Sequence, residues 1–227
     1  MVIENSTKFN ELVQICSASS GIVIPIPLDH RSHPSKYNLS GIYIFLLNNL
    51  QKYYIPIDHS EALKTFTLKE VMSVINTLDK IYVADSKEFM HIFKKTKTYD
   101  CNALSYHAHG KHLEITSTTA HEQIYQIHWK RKNLNGIVPI LKHLEYCDNL
   151  VKVILDVIDD KILNSKAYIK FNTVLLNNLF EIESSGLYTS NGFHNCYYNP
   201  YTLTGRPSNK FNKVNFAALN KSDGTRN

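Results

Sequence analysis

A mixed α/β fold is predicted for these 227 residues by three observations. Three β-rich apolar runs, Gly21 to Leu28, Gly41 to Leu47 and Lys52 to Ile57, follow one another, the last two joined by the turn-forming Asn48-Asn49. Behind them, apolar stripes at helical spacing flank one short strand-like run. After the helix breaker Pro139 the apolar pattern keeps helical spacing as far as Gly186.

Taken in order, Ser6 to Cys16 carries Phe9, Leu12, Val13 and Cys16 on one helical stripe behind Ser6, a candidate cap. Gly21 to Ile57 then reads as an antiparallel meander. Thr67-Leu68-Lys69-Glu70 has capping-box spacing and leads into Val71, Val74, Ile75 and Leu78, so a helix is expected. Lys80 to Ala84 reads as a short buried strand, and Asp85-Ser86-Lys87-Glu88 gives a second box-like start ahead of Phe89, Ile92 and Phe93. The resulting order from Gly21 to Phe93, β-β-β-α-β-α, is the core order of the ribonuclease-H-like fold, with helices flanking a mixed sheet. Thr119-Ala120-His121-Glu122 opens a further helix through Ile124, Ile127 and Trp129. Ile140 to Leu163 and Ala167 to Ser185 read as two amphipathic helices, the second striped by Phe171, Val174, Leu175, Leu179 and Ile182. A boundary is expected near 133–139, where the mixed part gives way to the helical part.

With 43% apolar and 20% charged residues the chain has ordinary globular composition. Its longest aliphatic and aromatic run, Ile42 to Leu47, is far short of a bilayer span, and the N-terminus lacks the regions of a signal peptide. A soluble cytoplasmic protein with no membrane partner is expected. The cysteines Cys16, Cys101, Cys147 and Cys196 are far apart with no C-x-x-C pair, which argues for reduced, partly buried thiols over a zinc ribbon or disulfide framework.

The basic character is local. From Arg206 onward Arg206, Lys210, Lys213, Lys221 and Arg226 face only Asp223, a net +4 of the chain's formal +5. Cations interleaved with Asn, Ser and Thr suit polyanions, the cations neutralising phosphates and the amides and hydroxyls bonding phosphate, sugar or base edges. The alternative is a solvated tail. Tyr201, Phe211, Phe216 and Leu219 weigh against it.

The order of residues adds more. Thr202-Leu203-Thr204-Gly205-Arg206-Pro207-Ser208-Asn209, then Val214-Asn215-Phe216-Ala217-Ala218-Leu219, then Asp223-Gly224-Thr225-Arg226, resembles the T-x-T-G-R-(L/P)-S segment of family A DNA polymerases with its Asn-led run and acidic-Gly-x-Arg turn. The resemblance implies that Arg206 reaches the minor groove near the primer terminus, where acceptors present on every base pair allow a test of pair geometry without sequence readout. Thr204, Ser208 and Asn215 match polar positions facing primer or template, and Asn209, Lys210, Lys213 and Lys221 complete the implied nucleic-acid-binding set. Ala217-Ala218 departs from the Gln-Asn that the family commonly carries there.

Upstream of that segment the family carries a 3′–5′ exonuclease domain. Tyr54-Ile55-Pro56-Ile57-Asp58-His59 is similar to the phrase ending its third strand, and Tyr99-Asp100 to its F-D-T segment. An active exonuclease holds two metal ions on several carboxylates. Where the resemblance puts those acids, this chain has Ile24, Ile26 and Phe89, keeping only Asp148, whose Tyr partner is replaced by Leu144. The implied organisation is a degenerate exonuclease-like domain over 1–135, a shortened thumb-like helical connection over 136–197 entered through Leu179 to Leu187, and the start of the polymerase domain over 198–227, expected as an irregular tail. The family's palm carboxylates follow this segment, so no catalytic residue and no cofactor are expected in this chain, with magnesium belonging to a complete polymerase. The implied partners are primer-template DNA and a second chain carrying palm and fingers. The competing reading is a non-enzymatic module docking an acidic protein through its basic C-terminal loop.

Three other features have a functional and a structural reading. His107 and His109 could ligate a metal, but two-residue spacing sends them to different sides of a helix, which favours a polar helix end capped by Gly110. Lys94-Lys95-Thr96-Lys97 and His128-Trp129-Lys130-Arg131-Lys132 suit a nucleic-acid backbone and solvated helix ends equally. Asp156, Asp159 and Asp160 read as an exposed acidic face within the Ile140 helix.

Overall fold

The computed structural model describes residues 1–28, 38–86, 89–93, 96–110, 113, 138–170 and 172, with backbone alone at 90, 160, 161, 197–199 and 208–210. Two compact units result, Met1–Phe180 and Glu181–Asn227. The first is mixed α/β, with a five-stranded mixed sheet flanked by helices.

Its elements run α1 (Ser6–Cys16), β1 (Gly21–Pro27), β2 (Leu39–Leu46), β3 (Lys52–Pro56), α2 (Leu68–Ile75), β4 (Ile81–Val83), α3 (Met90–Phe93), β5 (Thr98–Asp100), α4 (Cys101–His109), α5 (Ile140–Leu155) and α6 (Asp160–Leu163). The sheet order is β3-β2-β1-β4-β5. Neighbours β1 and β2, and β2 and β3, are antiparallel, whereas β4 runs parallel to β1 and β5 parallel to β4. Both faces are covered, so β1 and β2 are buried at every position and read as continuous apolar runs.

One face holds the main core. Phe9, Leu12 and Cys16 of α1 and Val71, Val74 and Ile75 of α2 pack there with Val23, Ile42, Ile44, Leu46, Tyr53 and Ile55. Phe9 stacks on Phe66 with ring centroids 4.4 Å apart. The expected box at Thr67 is formed: its hydroxyl accepts from Glu70 N–H and the Glu70 carboxylate accepts from Thr67 N–H. At α1 the cap is Asn5, whose Oδ1 accepts from Lys8 N–H, and not Ser6. Either residue type caps well, and apolar spacing alone does not separate adjacent candidates.

The opposite face carries Ile24 paired with Tyr43, and Tyr43 paired with Tyr54. α5 covers it, packing on β1 and β2. Although the expected boundary at 135/136 assigns α5 to a separate helical segment, it shares a compact unit with the sheet. Between the two faces lies a phase change in β2: Ile26 pairs with Gly41 but Pro27 with Leu39, leaving Ser40 as a bulge. The extra residue turns Leu39 to the face of Ile42 and Ile44.

Two expected helices differ, and one strand was not expected. Ser86 is buried, its hydroxyl 3.0 Å from that of Thr98, and among the described residues of this stretch only the single turn Met90–Phe93 is helical; Lys87 and Glu88 of the expected box lie outside the described residues. Ile140 to Leu163 is two helices. Asp156 is the C-cap of α5, while the Asp159 carbonyl accepts from Ile162 and Leu163 N–H and Asp160 opens α6, so these aspartates flank a break between two helices and do not form one continuous helical face. Aspartate favours a helix start over a helix end, a preference the apolar stripe does not register. β5 was not anticipated: three residues are too few to show strand periodicity. From the Ala167 helix, residues 166–170 and 172 are helical. Residues 173–185 and the Thr119 box lie outside the described residues.

Candidate functional site

In the second unit Tyr197–Asn199 (β6) pairs antiparallel with Ser208–Lys210 (β7), in the register Tyr197 with Lys210, Tyr198 with Asn209 and Asn199 with Ser208. The expectation of an irregular tail is corrected at this point. Pro200 directly follows β6 and Pro207 directly precedes β7, where a missing N–H costs the ladder nothing. Tyr197, Tyr198 and Asn199 pair with Lys210, Asn209 and Ser208, a mix of aromatic and polar residues. Residues 200–207, with Thr204 and Arg206, connect the two strands. Of the predicted site residues, Ser208, Asn209 and Lys210 are on β7, described in backbone only; Thr204, Arg206, Lys213, Asn215 and Lys221 lie outside the described residues.

In the first unit, the positions where the resemblance expects metal-binding acids do not converge. Ile24 and Ile26, 4% and 1% exposed, lie on the α5 face, whereas Phe89 belongs to the core cluster of the other face. Asp148 is committed elsewhere. Its carboxylate accepts the Tyr43 hydroxyl at 2.6 Å and the Lys52 ammonium at 2.8 Å, tying α5 to β2 and β3. Burial and this carboxylate push the Tyr43 hydroxyl well above the usual phenol range. Magnesium requires oxygen ligands, which Ile24, Ile26 and Phe89 do not offer. Among the described residues no group of three or more His, Cys, Asp or Glu could hold a metal ion.

The ladder between β1 and β4 covers only Gly21 with Ile81 and Ile22 with Tyr82. Gly21 N–H points toward β4, donating to the Lys80 carbonyl, so by strand alternation Pro25 would present its nitrogen to the same side and has no hydrogen to give. The ladder ends at Ile22, before it reaches that position.

Two phrases singled out in the sequence act as braces. His59, 4% exposed, donates from Nε2 to the Val138 carbonyl at 2.8 Å and accepts Glu61 N–H at Nδ1, which fixes the neutral tautomer. Its ring meets that of His143 on α5 edge-on at 5.5 Å, and Tyr54 stacks against His143 at 6.4 Å. Glu61 Oε2 accepts Ile140 N–H, capping α5 where Pro139 supplies no side-chain cap. Asp100, fully buried, accepts Ala103 N–H as the cap of α4 and Ser86 N–H on its other oxygen. Spacing gave no sign of the Ser86 bond, because the partners lie 14 residues apart.

Gly110 ends α4 in the left-handed conformation, φ 70°, as the helix-end reading of His107 and His109 expects. The His107 ring packs edge-on to Tyr168, and burial lowers its pKa. Of the two basic runs, Lys97 is described, whereas Lys94, Lys95 and 128–132 lie outside the described residues. Burial raises the thiols of Cys101 and Cys147 well above their usual range and that of Cys16 to about 12, as expected of inert packed cysteines. No helix among the described residues is long and apolar enough to cross a membrane. No protein-family model matches the chain, and no curated protein matches it in sequence.

Proposed function

We propose that this chain is the N-terminal portion of a family A DNA-directed DNA polymerase, in which residues 198–227 bind primer-template DNA and the first unit is an exonuclease-like scaffold without nuclease chemistry. The observation that carries the proposal is the segment Thr202 to Asn209, a Thr-x-Thr-Gly-Arg-Pro-Ser-Asn run whose last two residues pair in β7 with Asn199 and Tyr198 of β6. Arg206 would supply one guanidinium to a groove. Thr204, Ser208, Asn209 and Asn215 supply polar contacts, and Lys210, Lys213 and Lys221 supply charge for phosphates. A ribonuclease-H-like reading of the first unit is supported by its element order and by the central position of β1 in one mixed sheet. Apolar Ile24 and Ile26 support the loss of nuclease chemistry. Phosphoryl transfer and its magnesium belong to the palm carboxylates that follow this segment in the family; DNA binding is the role assigned to these residues.

Fluorescence anisotropy with a labelled duplex bearing a recessed 3′ end tests the proposal. Binding should weaken with rising salt, and Arg206→Ala should weaken it about ten-fold, the scale of a charge-assisted hydrogen bond lost. With magnesium present the labelled strand should keep its length. Unchanged binding by Arg206→Ala removes Arg206 from the interface, and displacement of the duplex by an acidic polypeptide would favour a protein-docking role.

A further inference from the structure

The five-stranded sheet ends at β3 on one side and at β5 on the other, and its two edges are closed by different means. At β3 the backbone does it. Val2 forms a parallel bridge to Tyr54, whose carbonyl accepts Ile3 N–H and whose N–H donates to the Met1 carbonyl. At β5 side chains do it. Gly21 N–H donates to the Lys80 carbonyl, so in the parallel ladders Lys80 and Tyr82 turn their backbone groups to β1, Ile81 and Val83 turn theirs to β5, and Tyr99 faces β4. Thr98 and Asp100 therefore direct their carbonyls away from the sheet. There the Tyr168 hydroxyl donates to the Asp100 carbonyl at 3.4 Å, and Asn172 Nδ2 donates to the Thr98 carbonyl at 3.3 Å. Four helical residues rise about 6 Å and two strand residues about 6.6 Å, so one helix face keeps step with these alternate carbonyls. Both donors are buried, and the Tyr168 ring also packs edge-on to His107 of α4.

This cover is costly to keep. Both hydrogen bonds are longer than the usual range, and Asn172 Oδ1 is buried without a hydrogen-bond partner. What it prevents follows from the strand beneath it, since the outward backbone groups of an edge strand are a template for another chain. We propose that Tyr168 and Asn172 are an edge guard, an autoinhibitory contact that keeps β5 from pairing with β5 of a second copy of this chain. Antiparallel pairing centred on Tyr99 sets Thr98 of each copy opposite Asp100 of the other, and the two pairs exchange four backbone hydrogen bonds through the same two carbonyls that the guard occupies. Such a contact is two-fold and self-complementary, so a second copy alone completes it. The β3 edge offers no equivalent template, because Met1 to Ile3 already pair there.

Sedimentation velocity of the full chain over about 1–200 µM tests this, the range suited to a small and therefore weak interface. Tyr168→Phe combined with Asn172→Leu removes both donors while nearly keeping side-chain volume, and it should self-associate about ten-fold or more tightly than the wild type, toward a dimer. Adding Tyr99→Lys sets two ammonium groups opposite each other at the centre of the pairing and leaves the guarded carbonyls in place, so it should abolish the gain. Far-UV circular dichroism and urea unfolding establish that the variants fold. If the double variant does not fold, Asn172→Asp, which sets a carboxylate against the Thr98 carbonyl, carries the same expectation. A folded guard variant that associates no more than the wild type, or a gain that survives Tyr99→Lys, would overturn the proposal. Association through residues 181–227 is distinguishable, because the wild type would share it and Tyr99→Lys would leave it unchanged.

Discussion

Replacing Gly41 by alanine should destabilise the first unit, against the usual direction. In a strand, alanine ordinarily gains on glycine by roughly 0.5–1 kcal/mol, because glycine has more backbone freedom to lose. Here a Cβ at Gly41 would lie 2.5 Å from Cζ and the hydroxyl of Tyr54, about 1 Å inside normal carbon contact. The ring has no room to retreat. Tyr54 is fully buried, with His143 stacked on it and His59 edge-on at 6.3 Å. Nor can β2 move, since Gly41 is paired with Ile26 on one side and Pro56 on the other. Overpacking of this kind costs about 1–3 kcal/mol, and about 2 kcal/mol is expected, close to thirty-fold in the folding equilibrium. Urea denaturation followed by far-UV circular dichroism measures it as a lower midpoint at constant slope. In a Tyr54→Leu background the same alanine should cost less than about 0.5 kcal/mol, the double-mutant signature of a contact between the two positions. Equal costs in both backgrounds, or no cost in the wild type, would refute the steric reasoning.

Other outcomes follow from the braces. Asp100→Ala should cost about 2–4 kcal/mol in the same denaturation, because it strands the buried Ser86 and Ala103 N–H groups, each worth roughly 1–3 kcal/mol unsatisfied; a loss below 1 kcal/mol would mean that the loop reorganises. Glu61→Ala should cost about 1 kcal/mol through the lost cap of α5 and should increase amide hydrogen exchange in its first turn without touching α2. Stability should fall at high pH. Buried Tyr43, Tyr54 and Tyr168 have their hydroxyls raised above the ordinary value of 10.0, so the folded state holds protons that the unfolded state releases. Their contribution is intact below that value and lost as pH climbs past it. Cys16, raised from 9.0 to about 12, begins the decline earlier. Urea midpoints at pH 8 and 11 measure the fall, and Tyr43→Phe should make it shallower.

Where determinants are local, the sequence was sufficient. The stripe from Val71 to Leu78 behind the Thr67 box, the glycine that ends α4, and the three apolar runs of the meander each depend on residues within a turn or a strand of one another. So does the absence of acids at Ile24 and Ile26, a matter of residue identity. Packing alone settled the rest. Ser86 met Thr98 and Asp100, Glu61 reached across 79 positions to cap α5, and Asp148 joined Tyr43 and Lys52 on strands about a hundred positions earlier. The bulge at Ser40 and the ring over Gly41 likewise required two strands and a helix to be in place. A side chain's hydrogen-bond partner and its free space are properties of whatever folds against it, and no window of neighbouring residues contains them.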